Sequence, residues 1–147
     1  MELITTKVCM TKNIGVHGNL FGGTMLSWLD EAALAYVCQV ADSTRMVTRS
    51  ISEVIFERPV KAGRIVKIYG EVARVGNTSV AINLEARSHN QFTGRQKIVC
   101  KTRMVFVQID EESESMPLSK KVKDKYETVT KGVPHVSVKN GKLTIKG

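Results

Sequence analysis

A single amphipathic helix among strand-like runs constrains this chain more than any other feature. Residues 24–40 carry apolar side chains at intervals of three and four positions. These are Leu26, Leu29, Ala33, Tyr36, Val37 and Val40. This spacing is typical of a helix with one apolar face. Asp30 lies four residues after Leu26 and three before Ala33, at the edge of that face. A half-buried carboxylate is costly unless it has a partner or a function, so Asp30 is a candidate functional residue.

Alternation of apolar and polar residues predicts strands on both sides of this helix. The predicted strands are residues 2–10, 46–56, 64–75, 78–88 and 96–109. A glycine-rich loop precedes the helix, and turns are predicted at Gly76-Asn77 and at residues 90–94. A flat sheet would leave part of the helix's apolar stripe uncovered. We therefore predict an α+β fold in which one antiparallel sheet wraps around one long central helix.

The start of the helix carries a motif that is more specific than its periodicity. Residues 19–33 read NLFGGTMLSWLDEAA. This pattern resembles the hotdog-fold acyl-CoA thioesterases, in particular the long-chain and broad-range acyl-CoA hydrolase branch. The resemblance rests on Asn19, Gly22, Gly23 and Asp30, and it extends to about residue 115. It implies a single hotdog fold, hydrolysis of an acyl-CoA thioester to a free acid and CoA, and a homodimer or a larger homo-oligomer such as a tetramer or hexamer.

Thioester hydrolysis needs a site for the negative charge that grows on the carbonyl oxygen, and an activated water or nucleophile. The backbone N–H groups of Gly22 and Gly23, at the positive end of the helix dipole, are suited to the first task. By resemblance, Asp30 activates water or attacks the carbonyl directly, and Asn19 orients a water or the carbonyl. Because Asp30 does not comfortably reach a carbonyl at its own Gly23, we expect a site shared across a dimer interface.

Each of these residues also has a purely structural interpretation. The glycines allow close packing of the loop and helix, Asn19 is suited to capping a turn, and Asp30 could pair with a lysine on the helix surface. The sequence leaves these alternatives open.

The resemblance places CoA contacts on the strand after the helix and on the turn between the next two strands. At these positions the sequence has Thr48, Arg49, Ser50, Asn77, Thr78 and Ser79. Their hydroxyl, amide and guanidinium groups suit pantetheine amides and phosphates. Arg58 and Lys61, on either side of Pro59, are further candidates for phosphate contacts.

The composition indicates one ordinary globular domain, with 42% hydrophobic and 24% charged residues in 147. We expect no membrane span and no signal peptide, because no apolar run is long enough. The chain has an odd number of cysteines, and they are scattered at Cys9, Cys38 and Cys100. We therefore expect no disulfide framework and a cytoplasmic location. No cluster has the spacing of metal ligands, so we expect no metal. We also expect no cofactor, CoA being part of the substrate and product.

The positive charge is uneven along the chain. Residues 116–147 hold eight lysines against Asp124 and Glu127, which is +6 of the total +8 and leaves +2 for residues 1–115. We therefore predict a domain at 1–115 and a basic C-terminal tail at 116–147, with an Asn140-Gly141 hairpin. The nearly neutral body and the 5% of aromatic residues argue against a nucleic-acid partner.

Two other functions within the same fold remain open. A hotdog hydratase or dehydratase acting on a thioester would use a histidine before the helix, but His17 in HGNLFGG matches that pattern poorly. A non-catalytic acyl-CoA-binding or regulatory module would keep the fold without Asn19 or Asp30, and both are present. The basic tail is the feature that favours partner binding.

Overall fold

The computed structural model describes residues 1–132, 135–139 and 142–146, with side chains described for residues 1–129. The helices are α1 (Gly22–Ala41), α2 (Lys120–Lys125) and α3 (Glu127–Gly132), with a short 3-10 helix at Thr11–Asn13. The strands are β1 (Glu2–Val8), β2 (Met46–Ile51), β3 (Ile55–Phe56), β4 (Ile65–Val75), β5 (Ser79–His89), β6 (Gln96–Gln108), β7 (His135–Lys139) and β8 (Lys142–Lys146). Within these described ranges, no helix is long and apolar enough to cross a membrane.

The main sheet has six strands in the order β1-β4-β5-β6-β2, with β3 also pairing with β6. Every pairing in it is antiparallel. Helix α1 contacts β1, β2, β4, β5 and β6, and one core cluster joins the helix to the sheet. The predicted antiparallel sheet around one long helix is confirmed.

Helix α1 begins at Gly22, two residues before the predicted start, because the backbone of Phe21 caps it. The carbonyl of Phe21 accepts hydrogen bonds from the N–H groups of Thr24 and Met25, at 3.0 and 3.1 Å. The helix ends at Ala41, where Asp42 takes the left-handed conformation with φ of 51°. Its middle buries Leu29, Ala33 and Val37 completely, as the apolar spacing predicts.

The predicted strand 46–56 is two strands rather than one. Residue Ile51 lies opposite Met104, but Ile55 lies opposite Lys101, so this segment uses one more residue than its partner strand. A second irregularity lies within β2, where the pairing skips Arg49. Such bulges bend a strand and increase its twist, which explains why one continuous run of alternating residues forms two strands.

Two short helices that the sequence analysis did not predict follow the sheet. Ser119 caps α2 by accepting a hydrogen bond from the N–H of Val122 at 3.3 Å. Leu118 and Val122 are 3% exposed and belong to the same core cluster as α1. Packing therefore continues past residue 115, where we predicted the domain boundary.

Strands β7 and β8 pair antiparallel, and Lys139 lies opposite Lys142. The predicted Asn140-Gly141 turn between them lies outside the described residues.

Candidate active site

Asp30 lies on the middle of α1, where the helix passes beneath the edge strand β2. Its Oδ1 accepts a hydrogen bond from Thr48 Oγ1 at 2.8 Å, and the residue is half-buried. No lysine or arginine within residues 1–129 forms an ion pair with it. The alternative interpretation of Asp30, a surface ion pair with a lysine, is therefore not observed among residues 1–129. The adjacent Glu31 is exposed and accepts a 3.5 Å hydrogen bond from Ser27 on its own helix.

Gly22 and Gly23, together called the glycine turn, are the first two residues of α1 and form its first turn with Thr24. Their N–H groups precede the first intrahelical hydrogen bonds, and no described residue accepts from them. They therefore combine free donors with the positive end of the helix dipole. A Cβ on Gly23 would lie 2.9 Å from Cε1 of Phe21, an exposed side chain that would have to shift, and a Cβ on Gly22 would be in ordinary contact with Phe56 at 3.5 Å.

A pocket of about 350 Å³ opens at this end of the helix. It is lined by Asn19, Leu20, Gly22, Met25, Phe56, Glu57, Arg58, Pro59, Val60 and Val99. The side-chain oxygen of Asn19 is buried there and has no hydrogen-bond partner in the described part of the chain. A buried acceptor without a donor costs roughly 1–3 kcal/mol, so Asn19 is poised to receive a donor from a bound molecule.

Within one chain, Asp30 does not lie in this pocket. Asp30 is eight residues beyond Gly22, which is about 12 Å along a helix that rises 1.5 Å per residue. Asn19, Gly22 and Arg58 share the pocket, while Asp30 lies farther along the helix, where it contacts Thr48 of β2.

The predicted CoA contacts fall into separate groups. Arg58 donates a 2.7 Å hydrogen bond to the Ile98 carbonyl, which holds it beside the pocket, and Lys61 lies in the neighbouring groove. Arg49 and Ser50 are exposed on β2. None of these residues has a tested role in CoA binding, so each stays a prediction.

The turn at Asn77, Thr78 and Ser79 lies at the other end of the sheet. Ser79 pairs with Val107, seven residues along β6 from the position opposite Phe56, which is about 23 Å at 3.3 Å per residue. The C-terminal segment of the same chain also forms two hydrogen bonds with Asn77. Lys123 Nζ donates to its Oδ1 at 2.6 Å, and the N–H of Leu118 donates to its carbonyl. This turn is therefore remote from the pocket of its own chain.

Three basic residues that the sequence analysis did not select lie close to Arg58 and Lys61. Arg64, Arg95 and Lys97 line a groove of about 530 Å³ together with them. The predicted strands indicate this proximity, although the motif does not. The start of β4, the end of β5 and the start of β6 must meet at one end of an antiparallel sheet.

The buried Cys100, opposite Phe56 on β6, does not provide a second nucleophile. Burial and the nearby Glu57 carboxylate raise the pKa of Cys100 to about 11. The side chain is therefore a neutral thiol at physiological pH, and thiols are poor nucleophiles.

Comparison with known proteins decides the family. The family model described as "Thioesterase superfamily" matches residues 17–94, more than half of the chain. The chain belongs to the thioesterase superfamily. The match includes Asn19, the Gly22-Gly23 turn and Asp30, so the residues singled out from the sequence lie within the superfamily domain.

Two proteins that are similar to this chain in sequence or structure support the assigned fold. The acyl-CoA thioester hydrolase YciA of Salmonella typhimurium is 26% identical over 120 residues, which cover 80% of this chain and 90% of that protein. A hexameric hotdog-fold thioesterase of Campylobacter jejuni is 27% identical with a TM-score of 0.75, covering 86% of this chain and 97% of that one. The predicted hotdog fold is confirmed.

The acetyl-coenzyme A thioesterase of Rattus norvegicus is 30% identical over 109 residues. These residues are 72% of this chain but 19% of that protein, so the chain spans about a fifth of the length of this relative.

Proposed function

We propose that this chain is an acyl-CoA thioesterase that hydrolyses an acyl-CoA thioester to a free carboxylic acid and CoA. The observation that carries the proposal is the half-buried Asp30, which is held by Thr48 and not by a cation. A carboxylate kept in place without a neutralising partner is available to act as a base or nucleophile. The names of the relatives from Salmonella typhimurium and Rattus norvegicus support the same reaction.

The glycine turn supplies the electrostatic part of the reaction. As the carbonyl carbon becomes tetrahedral, negative charge moves to its oxygen. The N–H groups of Gly22 and Gly23, at the N-terminus of α1, donate to that oxygen. Preorganised donors of this kind lower a barrier by roughly 3–4 kcal/mol. The unpaired Oδ1 of Asn19 in the same pocket accepts from the attacking water or from an amide of the substrate.

Asp30 supplies the proton chemistry or the nucleophile. As a general base it removes a proton from water while the water oxygen attacks the carbonyl, and the C–S bond then breaks to release the CoA thiolate, which takes up the proton. As a nucleophile its Oδ2 attacks the carbonyl carbon, the C–S bond breaks and the CoA thiolate leaves, which gives an anhydride between the acyl group and Asp30. Water then cleaves this anhydride to the free acid and the Asp30 carboxylate, and the proton released from water goes to the CoA thiolate. In both routes Thr48 is a positioning residue, because its hydroxyl donates to Oδ1 and fixes the carboxylate orientation.

The active unit is a homodimer or a larger homo-oligomer. The distance along α1 separates Asp30 from the pocket of its own chain, so a partner's glycine turn completes the site. Strand β2 is the edge of the sheet, and its residues 47–51 are exposed, including Val47 and Ile51 at 40% and 39%. An exposed edge strand presents unpaired backbone N–H and C=O groups and is therefore a template for pairing with another chain. The Campylobacter jejuni relative is hexameric.

The reaction needs no cofactor, because water, a carboxylate and backbone donors provide the chemistry, and CoA enters as part of the substrate. We place the enzyme in the cytoplasm. The free thiols of Cys9, Cys38 and Cys100 support a reducing compartment.

The direct test is an assay of the purified full chain against acyl-CoAs of increasing chain length, with detection of the released thiol. Turnover that saturates with substrate is the expected result. Binding of acyl-CoA without hydrolysis of any member of the series would show that the protein is a non-catalytic binding module and not an enzyme.

Replacing Thr48 by valine removes the hydroxyl but keeps the β-branched shape that suits strand β2. We expect kcat/KM to fall about 10- to 100-fold, since a hydrogen bond to a charged group is worth roughly 1.5–3 kcal/mol. Thr48→Ser, which restores the hydroxyl, should recover most of the activity. Equal activity of the valine and serine variants would show that Thr48 does not position Asp30.

A further inference from the structure

We propose that the basic groove binds the phosphates of the nucleotide end of CoA and gives the enzyme its preference for CoA thioesters over thioesters of unphosphorylated pantetheine. The basic groove is the concavity of about 530 Å³ lined by Arg58, Lys61, Arg64, Arg95 and Lys97. The inference rests on the proposed function for the identity of the substrate.

The charge of the groove is concentrated and one-sided. It holds five cationic side chains, although residues 1–115 carry a net charge of only +2. None of the described residues that line the groove has a carboxylate, and its other polar groups are the neutral Ser88, Asn90 and Thr93. Hydroxyl and amide groups beside guanidinium and ammonium groups are suited to phosphate oxygens.

Four of the five cations have no ion-pair partner among the residues whose side chains are described. Arg58 has a contact with Glu57 at 3.8 Å and a hydrogen bond to the Ile98 carbonyl. Lys61, Arg64, Arg95 and Lys97 form no ion pair with any residue whose side chain is described. Like charges that converge without counter-charges repel each other, and a bound polyanion relieves this repulsion.

The strand register builds the groove from distant parts of the sequence. Ile65 lies opposite His89, and His89 lies opposite Gln96, so Arg64 and Arg95 meet at one end of the sheet. The turn between β5 and β6 is well defined, because Asn90 Oδ1 accepts from the N–H groups of Phe92 and Thr93 at 2.9 and 3.2 Å. The cations are therefore presented by ordered backbone.

The groove is continuous with the candidate active site. Arg58, Pro59 and Val99 line both the groove and the pocket that contains Asn19 and Gly22. A CoA thioester has its reactive carbonyl at one end and its phosphates at the other. With the carbonyl at the glycine turn, the pantetheine arm passes Arg58 and the phosphates enter the groove.

The experiment uses the double variant Arg95→Gln/Lys97→Gln in the full chain. Its matched control is Arg74→Gln/Arg103→Gln, which removes two exposed cations of the same sheet that do not line the groove. Each protein is assayed with the acyl-CoA, acyl-phosphopantetheine and acyl-pantetheine of one acyl group. The Kd of CoA is measured separately by calorimetry.

We expect the groove variant to lower the ratio of kcat/KM for acyl-CoA to that for acyl-pantetheine by about 10- to 100-fold, because two charge-assisted contacts are lost. The control should keep the wild-type ratio. The wild-type KM for acyl-CoA should rise with salt more steeply than that of the groove variant, since salt screens exposed charges.

The outcomes separate this proposal from the proposed function. An unchanged ratio, or the same ratio in the groove variant and the control, overturns the groove. An equal loss with acyl-phosphopantetheine overturns the nucleotide assignment, because that substrate has only the phosphate next to pantetheine. A wild type that hydrolyses no thioester but binds CoA more tightly than the groove variant would refute the proposed thioesterase activity and support phosphate binding in the groove. A wild type that neither hydrolyses thioesters nor binds CoA refutes both.

Discussion

Replacing Asp30 by asparagine is expected to lower kcat for acyl-CoA hydrolysis by about 100- to 10,000-fold, the range typical of a lost general base. Asparagine has the same shape and keeps an acceptor for the Thr48 hydroxyl, whose 2.8 Å hydrogen bond holds the carboxylate. It cannot accept a proton from water or attack the carbonyl. The Kd for CoA should change little, so the loss should appear in kcat. Thiol release at saturating substrate and calorimetry with CoA measure the two quantities.

The matched control is Glu31→Gln, which removes the neighbouring carboxylate. Glu31 is exposed and its described hydrogen bond is to Ser27 on the same helix. Its variant should retain activity close to that of the wild type. Normal hydrolysis by Asp30→Asn, or an equal loss in Glu31→Gln, would assign the chemistry to another group.

Replacing Phe106 by alanine is expected to lower the free energy of unfolding by about 3–5 kcal/mol, as for other large-to-small changes at fully buried aromatic positions. Phe106 is 0% exposed. It lies on β6 opposite Val80 on β5 and Thr48 on β2, so it packs where the helix, the central strands and the edge strand meet. Chemical denaturation at a fixed protein concentration measures the change, since association of subunits adds to the apparent stability.

The control for this prediction is Phe92→Ala, the same substitution at a side chain that is 90% exposed. Its effect should stay within about 0.5 kcal/mol, as is usual for surface positions. Equal destabilisation by the two variants would contradict the assignment of Phe106 to the core.

The sequence predicts the elements whose signals are local. The spacing of apolar residues identified α1, and alternation identified the long strands β4, β5 and β6. The predicted start of the helix missed two residues because Phe21 caps it through its backbone, which any residue can do. The break between β2 and β3 depends on register against β6, and a single strand does not encode its register.

Features that depend on tertiary contacts were less predictable. Helix α2 is only six residues long, and its charged sequence indicated a solvated tail. The burial of Leu118 and Val122 follows from contacts with the rest of the core. In the site, the motif singled out Asn19, Gly22, Gly23 and Asp30. It did not show that Arg64 and Arg95 converge, because that proximity is created by the pairing of three strands.

We expect Asp30 of one chain to act with the Asn19 pocket and the glycine turn of another chain. Differently tagged Asp30→Asn and Asn19→Ala chains, each nearly inactive alone, can be co-expressed and the mixed dimer isolated through both tags. A shared site leaves one of the two sites of this dimer with wild-type Asp30 and wild-type Asn19, so activity should recover to about half that of the wild type, as two-fold symmetry requires. A mixed dimer no more active than its parents would show that each site lies within a single chain, and would contradict a site shared between two chains.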